Sequence, residues 1–377
     1  MPDDLPILLD GGEGDGGGQR LRTALALSCV TGRAFTAVGF RAGRPDPGLR
    51  GSHLLAARAA ARLCDAVLGG DEVGSPRLEF APRRPVVPVE GLELDAGASG
   101  STALLLQTVC WPLSLAGGPS TLVLRGATHQ AQAPTFHDLA LAWCPAVARL
   151  GFQVEVSLQA AGFLAGGGGE VSVRIDPAHA MPPLDLRHRG TLREVEVISL
   201  GGGVDAEVAD RLAARAVRSL RALGVAAEAE RLPLPVRGSA GSHVLLVASF
   251  ERSRSSHGAV AGREPGGVDP VDSAVADLRE HLTRGGAVES HLADQLVVPA
   301  ALLAAGLVPQ PPGVVPASRW SVGEVSAHLL DVAAVVPRFL DVEVAVLGRL
   351  GEQGEVRVQP RGAGLEVTAL APPGGAP

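Results

Sequence analysis

One pattern recurs along the chain: a run of small residues, an apolar helical period, a glycine turn and an alternating strand. Residues 16–43 hold the first copy, residues 98–129 hold the second, and residues 291–306 repeat the helical part. In each copy the small residues stand where a helix N-terminus would present free N–H groups to an anion. Three such units predict an α+β body of repeated βαβ-type units with pseudo-threefold symmetry, with helices on one side of each sheet.

A different segment, about residues 186–286, interrupts this pattern. It predicts a strand, a helix, two strands and a second helix, with Asp205 as N-cap of the first helix and Gly224 just after that helix. We therefore expect a small inserted α/β domain that divides the large domain into residues 1–185 and 287–358. Residues 359–377 are rich in Gly, Pro and Ala, which predicts a disordered tail.

The absence of lysine limits the kinds of catalytic and phosphate-binding site that the chain can form. All 33 basic residues are arginine, and tyrosine and asparagine are absent as well. A P-loop needs its lysine on the β- and γ-phosphates, and lysine adenylates and Schiff bases need an amine nucleophile. These three kinds of site are excluded.

The charge distribution indicates a local anion site. The net charge of −7 argues against sequence-blind binding to a nucleic-acid duplex, but it allows recognition of one nucleic-acid end. Six arginines lie between Arg20 and Arg50, opposed only by Asp46. Arg41 and Arg44 share a Gly/Pro-rich loop, and two guanidinium forks on one loop can converge on a phosphate.

The glycine-rich stretch "GGEGDGGG", residues 11–18, precedes the first helix and contains Glu13 and Asp15. A carboxylate in a phosphate-binding turn repels the anion unless a divalent cation lies between them. The stretch is therefore either a solvated acidic turn or a loop that holds Mg²⁺ together with phosphate.

With lysine and tyrosine absent, the candidate nucleophiles are His, Ser, Thr, Cys and the carboxylates. His328 opens an otherwise apolar segment, which on pattern alone makes it a candidate functional histidine. We expect structural or surface roles for five other histidines, whose sequence surroundings indicate polar or loop positions: His179, His188, His243, His257 and His281. The four cysteines, far apart in sequence, are expected to be buried reduced thiols, since a zinc site would need closely spaced pairs.

Nothing in the sequence predicts a membrane segment or a secretory signal. The longest apolar runs are shorter than about 18 residues, and residues 1–12 lack a basic start and an apolar core. We expect a cytoplasmic protein with no membrane contact and no obligate protein partner.

Five ordered motifs, spanning about residues 5–358, resemble those of the RNA 3′-terminal phosphate cyclases. They are "LDGGEGDGGGQRLR", "FRAGRPDPGLRGSHL", "ASGSTALLLQTVCWP", "HLADQLVVPAAL" and "AHLLDVAAVVPRFL". The resemblance implies a fold related to the enolpyruvyl transferases, with the small domain inserted in the family's place.

The resemblance also implies a reaction in three steps. A histidine, here His328, attacks the α-phosphate of ATP, the AMP passes to an RNA 3′-phosphate, and the neighbouring 2′-hydroxyl closes a 2′,3′-cyclic phosphate. The substrate would be an RNA 3′ end that carries a terminal phosphate.

Further site residues follow from the same resemblance. It implies ATP contacts for Gln107, Pro134, His291, Leu292, Ala293, Asp294 and Gln295. It implies contacts with the phosphate or the RNA end for Arg22, Arg41, Arg44 and His53. Asp15 takes the place of the family's metal-linked glutamate and would bind Mg²⁺ or Mn²⁺.

The chain departs from the family pattern near the nucleophile, where Asp331 and Val332 replace Thr-Asn. A carboxylate three residues from His328 would either orient the imidazole or repel ATP. The competing functions are a non-catalytic RNA-binding relative, a polynucleotide end adenylyltransferase of low activity, and a transferase of the enolpyruvyl type. The relatives of the first kind lack the histidine, and enolpyruvyl transferases typically use a lysine.

Overall fold

A computed structural model of the chain describes residues 5–12, 18–42, 45–163, 167–261 and 269–363. It is a mixed α/β fold, in which the described residues form four mixed sheets of four strands each. None of the helices in these ranges is long and apolar enough to cross a membrane.

The first sheet begins the main body. Its strands, in the spatial order β1-β2-β4-β3, are β1 (Ile7–Asp10), β2 (Phe35–Val38), β3 (Val67–Gly69) and β4 (Arg77–Ala81). β1 and β2 are parallel and are joined by α1 (Gly18–Thr31), and α2 (Gly51–Cys64) follows β2. In β1 the buried residues Ile7 and Leu9 alternate with exposed ones, which is the period of a strand with one face on the core.

The second sheet has the order β5-β6-β8-β7. Its strands are β5 (Leu92–Asp95), β6 (Ser120–Gly126), β7 (Val154–Ala160) and β8 (Gly169–Ile175). α3 (Thr102–Ser114) joins the parallel strands β5 and β6, and Ser101 caps it by accepting a hydrogen bond from the Leu104 N–H. Three short helical pieces precede β7: α4 (Phe136–Asp138), a π-helical turn (Leu139–Trp143) and α5 (Cys144–Ala148).

The fourth sheet belongs to the inserted segment and follows the short strand β9 (Asp185–Leu186). Its elements in chain order are β10 (Leu192–Gly202), α6 (Ala206–Ala222), β11 (Ala227–Pro233), β12 (Gly241–Phe250), β13 (Arg254–Val260) and α7 (Pro270–Arg284). The strand order is β11-β10-β12-β13. Apolar residues of α6, α7, β10 and β12 form a core cluster separate from that of the main body. This order has one strand more than the predicted strand, helix, two strands and helix, because residues 254–260 pair with β12 as β13.

The chain then completes the main body. The elements are α8 (Ser290–Gln295), α9 (Val297–Ala304), β14 (Ser318–Val322), α10 (Ala327–Phe339), β15 (Val342–Leu347) and β16 (Gly354–Pro360). The third sheet has the order β15-β16-β14-β9, and β14 runs parallel to β9, which lies before the insert.

α1 is the central helix of the main body. Its apolar residues are buried around most of its circumference, and it packs against α2, α3 and α10. α10 in turn packs against α8 and α9. A helix buried on nearly all sides must be apolar on nearly all sides, which explains the low amphipathicity of this stretch. The charged residues of α1, Arg20 and Arg22, lie near the start of the helix.

Two predicted boundaries differ from the structure. The helix expected over residues 291–306 is divided at Leu296, because Pro299 has no N–H to donate to the carbonyl of Gln295. The last strand runs to Pro360, which pairs with Val342, so the residues at the start of the predicted tail are ordered. Residues 364–377, the rest of that tail, lie outside the described residues.

One expectation about buried side chains was confirmed and one was wrong. The four cysteines are free thiols, and all except the half-buried Cys144 are buried, as expected. The sulfurs of Cys29 and Cys64 lie 3.6 Å apart in the core, where α1 packs on α2. His243, His257 and His281 are buried rather than in polar or loop surroundings. His243 is buried because β12 is an inner strand of its sheet with both faces covered.

Candidate active site

The first turn of α1 carries a chain of polar contacts. Gln19 and Arg22 are three residues apart and thus lie on one face of the helix, where Arg22 Nη2 donates to Gln19 Oε1 at 2.8 Å. Gln19 Nε2 donates to Asp294 Oδ2 at 2.9 Å. This contact joins the start of α1 to the end of α8, although the two residues are 275 positions apart in sequence.

A second polar contact joins α3 to α8. Gln107 Nε2 donates to Gln295 Oε1 at 2.6 Å, and Gln295 Nε2 donates to the His291 carbonyl at 2.7 Å. Together with the α1 contacts, this pair borders a cleft between the three helices. The residues that line the cleft are Gln19, Arg22, Thr23, Ala26, Gln107, Trp111, Trp143, Asp294, Gln295 and Val298.

Two ionisable groups that line the cleft, Asp294 and Arg22, have shifted pKa values. Asp294 is only 5% exposed, and burial raises the pKa of its carboxyl to about 7. Burial also lowers the pKa of Arg22 to about 10, with Asp294 opposing that shift. Perturbed groups in a cleft are typical of functional sites.

A positive cluster adjoins this end of the cleft. His53 on α2 is buried, and its Nδ1 accepts a hydrogen bond from the Arg50 N–H at 3.1 Å. Burial, followed by the charges of Arg22, Arg41 and Arg50, lowers the pKa of His53 to about 4. The imidazole is therefore neutral at pH 7, and the surrounding guanidinium groups produce a positive potential that favours an anion.

Gly18 permits the close approach within this cluster. A Cβ at position 18 would lie 2.6 Å from Arg22 Nη1 and 3.1 Å from His53 Nε2. Any other residue at the start of α1 would push these two side chains apart. The lack of a Cβ at Gly18 thus lets both side chains lie close to the start of α1.

His328 is the second residue of α10. Ser326 caps this helix by accepting a hydrogen bond from the Leu329 N–H at 3.1 Å, and the His328 side chain is exposed. One turn later, Asp331 and Arg20 form a buried ion pair with Asp331 Oδ1 3.2 Å from Arg20 Nη1. This pair fixes the first turn of α10, and with it His328, beside the first turn of α1.

The ion pair bears on the two alternatives raised for Asp331. Its side chain is buried and its charge is opposed at 3.2 Å by a guanidinium. An opposed carboxylate repels a phosphate much less than an isolated one does. The contact with Arg20 thus argues against repulsion of ATP by Asp331.

Comparison with known proteins gives the same family as the motifs. The family profile described as RNA 3′-terminal phosphate cyclase matches residues 13–346. The chain belongs to this family.

Several relatives named RNA 3′-terminal phosphate cyclase align with nearly the whole chain. The protein from Methylococcus capsulatus is 38% identical over 369 residues, covering 95% of this chain and 98% of the relative. Those from Trichormus variabilis and Salmonella agona are each 36% identical and cover 88% and 89% of this chain. These two matches cover 94% and 92% of the relatives' own sequences. Their names indicate that the chain is an enzyme of this type.

The structure brings together several, but not all, of the site residues that the family resemblance implies. Arg22, Gln107, Asp294 and Gln295 line the cleft. Leu292 and Ala293 have side chains buried in the main core, which leaves only their backbone groups for a ligand. Asp15 and Arg44 lie outside the described residues.

Pro134 lies apart from the described lining of the cleft. It precedes Thr135, the N-cap of α4, and so stands next to the buried His137. Its predicted contact with ATP stays a prediction.

Sequence reasoning missed the two indole rings of the cleft. The rings of Trp111 on α3 and Trp143 in the π-helical turn have centroids 5.7 Å apart, and both line the cleft. The π-helical turn is a feature that often marks functional sites. The sequence signal was the presence of only three tryptophans in 377 residues, two of which lie in these helices.

The raised pKa of Asp294 predicts a pH-dependent stability difference for Asp294→Asn. Because the carboxyl titrates near pH 7 when folded and near 3.8 when unfolded, the folded chain holds the extra proton between these values. The free energy of unfolding of the wild type therefore falls as the pH rises through this window, by up to about 1.4 kcal/mol per pH unit. In Asp294→Asn the side chain has no carboxyl to titrate, so the free energy of unfolding does not show this fall.

We expect the stability difference, variant minus wild type, to grow from pH 5 to pH 7 and to level off above pH 8. Urea unfolding at a series of pH values measures it, and the titrations of other groups cancel in the difference. A difference independent of pH would contradict the assignment.

Glu289 controls the charge of His291. Its carboxylate caps α8, accepting from the His291 N–H at 2.7 Å and the Leu292 N–H at 3.1 Å. It also lies 2.5 Å from His291 Nδ1, and this contact raises the pKa of His291 to about 9.

In Glu289→Gln we expect the pKa of His291 to fall to about 6.5 or below, the ordinary histidine value. NMR titration of the imidazole C–H signals measures this shift. Glu324→Gln, which changes a glutamate that pairs with Arg284, is the matched control and should leave the His291 titration unchanged. An unaltered titration in Glu289→Gln would exclude the contact.

Proposed function

We propose that the chain converts an RNA 3′-terminal phosphate into a 2′,3′-cyclic phosphate at the expense of ATP, through a covalent His328–AMP intermediate. The observation that carries the proposal is the position of His328. It is exposed on the first turn of α10, and the Arg20–Asp331 pair ties that end of α10 to the start of α1, which carries Gln19 and Arg22 of the cleft. An imidazole is a nucleophile near neutral pH without activation of a high-pKa amine. The absence of lysine excludes a lysine adenylate.

Each step exchanges one bond to phosphorus. A ring nitrogen of His328 attacks the α-phosphorus of ATP, a P–N bond forms, and pyrophosphate leaves as the P–O bond breaks. An oxygen of the RNA 3′-phosphate then attacks the same phosphorus, which breaks the P–N bond and gives an RNA-adenylate. Finally the 2′-oxygen attacks the 3′-phosphorus, loses its proton, and displaces AMP.

We propose that ATP binds at the mouth of this cleft and that Gln107, His291, Asp294 and Gln295 contact the nucleotide. Amide and carboxyl groups can hydrogen-bond the edges of a base. Phosphate groups would then face the positive cluster.

The positive cluster suits a phosphate terminus. We propose that Arg22, Arg41, Arg44 and His53 hold the RNA end, since guanidinium groups bind phosphate in a bidentate way. Neutral His53 can donate one hydrogen bond to a phosphate oxygen without adding charge. Phosphoryl transfer depends mainly on positioning and charge neutralisation, which these groups supply.

A divalent cation, Mg²⁺ or Mn²⁺, is proposed with Asp15 as one ligand. The support is chemical: hard cations prefer carboxylate oxygens, and a carboxylate beside a phosphate needs a cation between them. None of the steps above depends on this ion.

We also propose that the main body consists of three repeated units with an inserted domain over residues 186–286. In support, each of the three main-body sheets has a parallel pair of strands followed by two antiparallel neighbours, with orders β1-β2-β4-β3, β5-β6-β8-β7 and β9-β14-β16-β15. The separate core cluster of the fourth sheet supports the insertion. A cytoplasmic location stays a prediction.

A pair of RNA oligonucleotides tests the proposed reaction. With ATP and Mg²⁺ or Mn²⁺, an oligonucleotide with a 3′-phosphate should acquire an end that resists phosphatase. A matched oligonucleotide with a 2′-deoxy terminal sugar should stop at the adenylate, because it has no 2′-oxygen to close the ring. An adenylate that accumulates on both substrates would favour an end adenylyltransferase, and no change on either would favour an RNA-binding protein.

A further inference from the structure

Three buried histidines meet where the inserted segment contacts the main body. His129 lies in the loop after β6, His137 lies in α4, and His243 lies on β12. One ring nitrogen from each lies within 4.8 Å of the other two, and His129 Nε2 is 3.0 Å from His137 Nδ1. Tetrahedral metal ligands about 2.0 Å from the ion would stand only slightly farther apart than this last pair.

The ring of His243 stands out among the described residues because its polar atoms are buried without hydrogen bonds. Neither of its ring nitrogens has a partner among the described residues, and the side chain is fully buried. A buried polar group without a partner costs about 1–3 kcal/mol. A bound metal ion would supply a partner to one of these nitrogens.

The neighbours of His129 fix its ring in the orientation that a ligand needs. Its Nδ1 lies 2.8 Å from Thr128 Oγ1, which also accepts a hydrogen bond from the Gly162 N–H at 3.0 Å. The ring stacks on Phe163 at a centroid distance of 5.1 Å. Metal-binding histidines typically use their other ring nitrogen in this way, which leaves Nε2 to face the ion.

The cluster spans a junction that other polar contacts also cross. Ser256 Oγ on β13 donates to Asp138 Oδ1 at 2.8 Å, and Ser239 Oγ donates to the Phe163 carbonyl at 2.5 Å. Around them the contact is apolar, with Leu245 and Val247 packed near Leu141. A metal ion held by residues from both sides would link the fourth sheet to the main body.

We propose that His129, His137 and His243 bind one Zn²⁺ ion that clamps the inserted segment to the main body. Three imidazole nitrogens suit Zn²⁺, which readily takes three histidines and a fourth ligand such as water. This site is separate from the Mg²⁺ or Mn²⁺ site proposed at Asp15.

The test uses untagged, metal-free protein and Co²⁺ as a visible substitute for Zn²⁺. We expect one Co²⁺ per chain with the visible absorption of a tetrahedral site, displaced by one equivalent of Zn²⁺. His243→Gln and His137→Gln should each weaken Co²⁺ binding at least about 100-fold. His257→Gln, which changes a buried histidine outside the cluster, is the matched control and should bind Co²⁺ like the wild type.

A second measurement covers the case in which a variant is poorly folded. Zn²⁺ should raise the thermal unfolding midpoint of the wild type and of His257→Gln, but not that of His137→Gln, whose residue is the most exposed of the three. Absent Co²⁺ binding, or equal binding in the wild type and both cluster variants, would overturn the proposal. Neither readout involves ATP or RNA, so its failure is distinct from failure of the proposed cyclase reaction.

Discussion

Replacing His328 with alanine should abolish labelling of the protein by AMP and reduce cyclisation of a 3′-phosphate RNA by at least about 10³-fold. The imidazole is the proposed carrier of the nucleotidyl group, and loss of a nucleophile removes the first bond-forming step. Its side chain is exposed on the first turn of α10, so the substitution removes no core packing. Far-UV circular dichroism and the unfolding midpoint should match those of the wild type.

A chemically prepared RNA-adenylate separates the steps. Because His328 acts before the activated RNA forms, His328→Ala should still close the cyclic phosphate on this substrate at a rate within about tenfold of the wild type. His188→Ala, at an exposed histidine outside the cleft, is the control and should retain labelling and cyclisation. Full cyclisation of unactivated RNA by His328→Ala would mean that another residue carries AMP.

Replacing Arg20 with methionine should lower the free energy of unfolding by about 3–5 kcal/mol. Both members of the Arg20–Asp331 pair are buried, at 8% and 3% exposure, so the variant leaves a carboxylate in a poorly solvated place. The same substitution releases α10 from α1 and should therefore also slow AMP transfer. Equilibrium unfolding in urea measures the first effect.

An exposed ion pair provides the control. Arg58 and Asp71 lie 3.2 Å apart with side chains 53% and 38% exposed, so Arg58→Met should cost less than about 1 kcal/mol. The double variant Arg20→Met/Asp331→Leu should recover most of the stability lost in Arg20→Met, because no buried charge remains. A loss in Arg20→Met no larger than that in Arg58→Met would show that the buried pair does not hold the two helices together.

Local sequence patterns predicted most helices and strands of the insert and the residues at the ends of its first helix. Periodicity predicted both helices of the insert and three of its four strands, and Asp205 and Gly224 stand at the ends of α6 as expected. The family motifs supplied Arg22, Gln107, Asp294 and Gln295, which the structure places around one cleft. Periodicity reports which face of a helix is buried, and motifs report which residues recur together.

Features that depend on long-range packing were not accessible from the sequence. The Arg20–Asp331 pair joins residues 311 positions apart, and the histidine cluster joins His129 to His243 across two sheets. Cys29 and Cys64 likewise meet only because α1 packs on α2. The side-chain period of each element assigns residues to faces, but it does not say which faces meet.

The most direct test of the central claim is to locate the AMP on the protein. After incubation with ATP labelled at the α-phosphate and with Mg²⁺ or Mn²⁺, the labelled protein is digested and the modified peptide is identified by mass spectrometry. The account predicts an acid-labile, base-stable adduct of one AMP on His328. An adduct on a different side chain, or a protein that takes up no AMP with either metal, would contradict it.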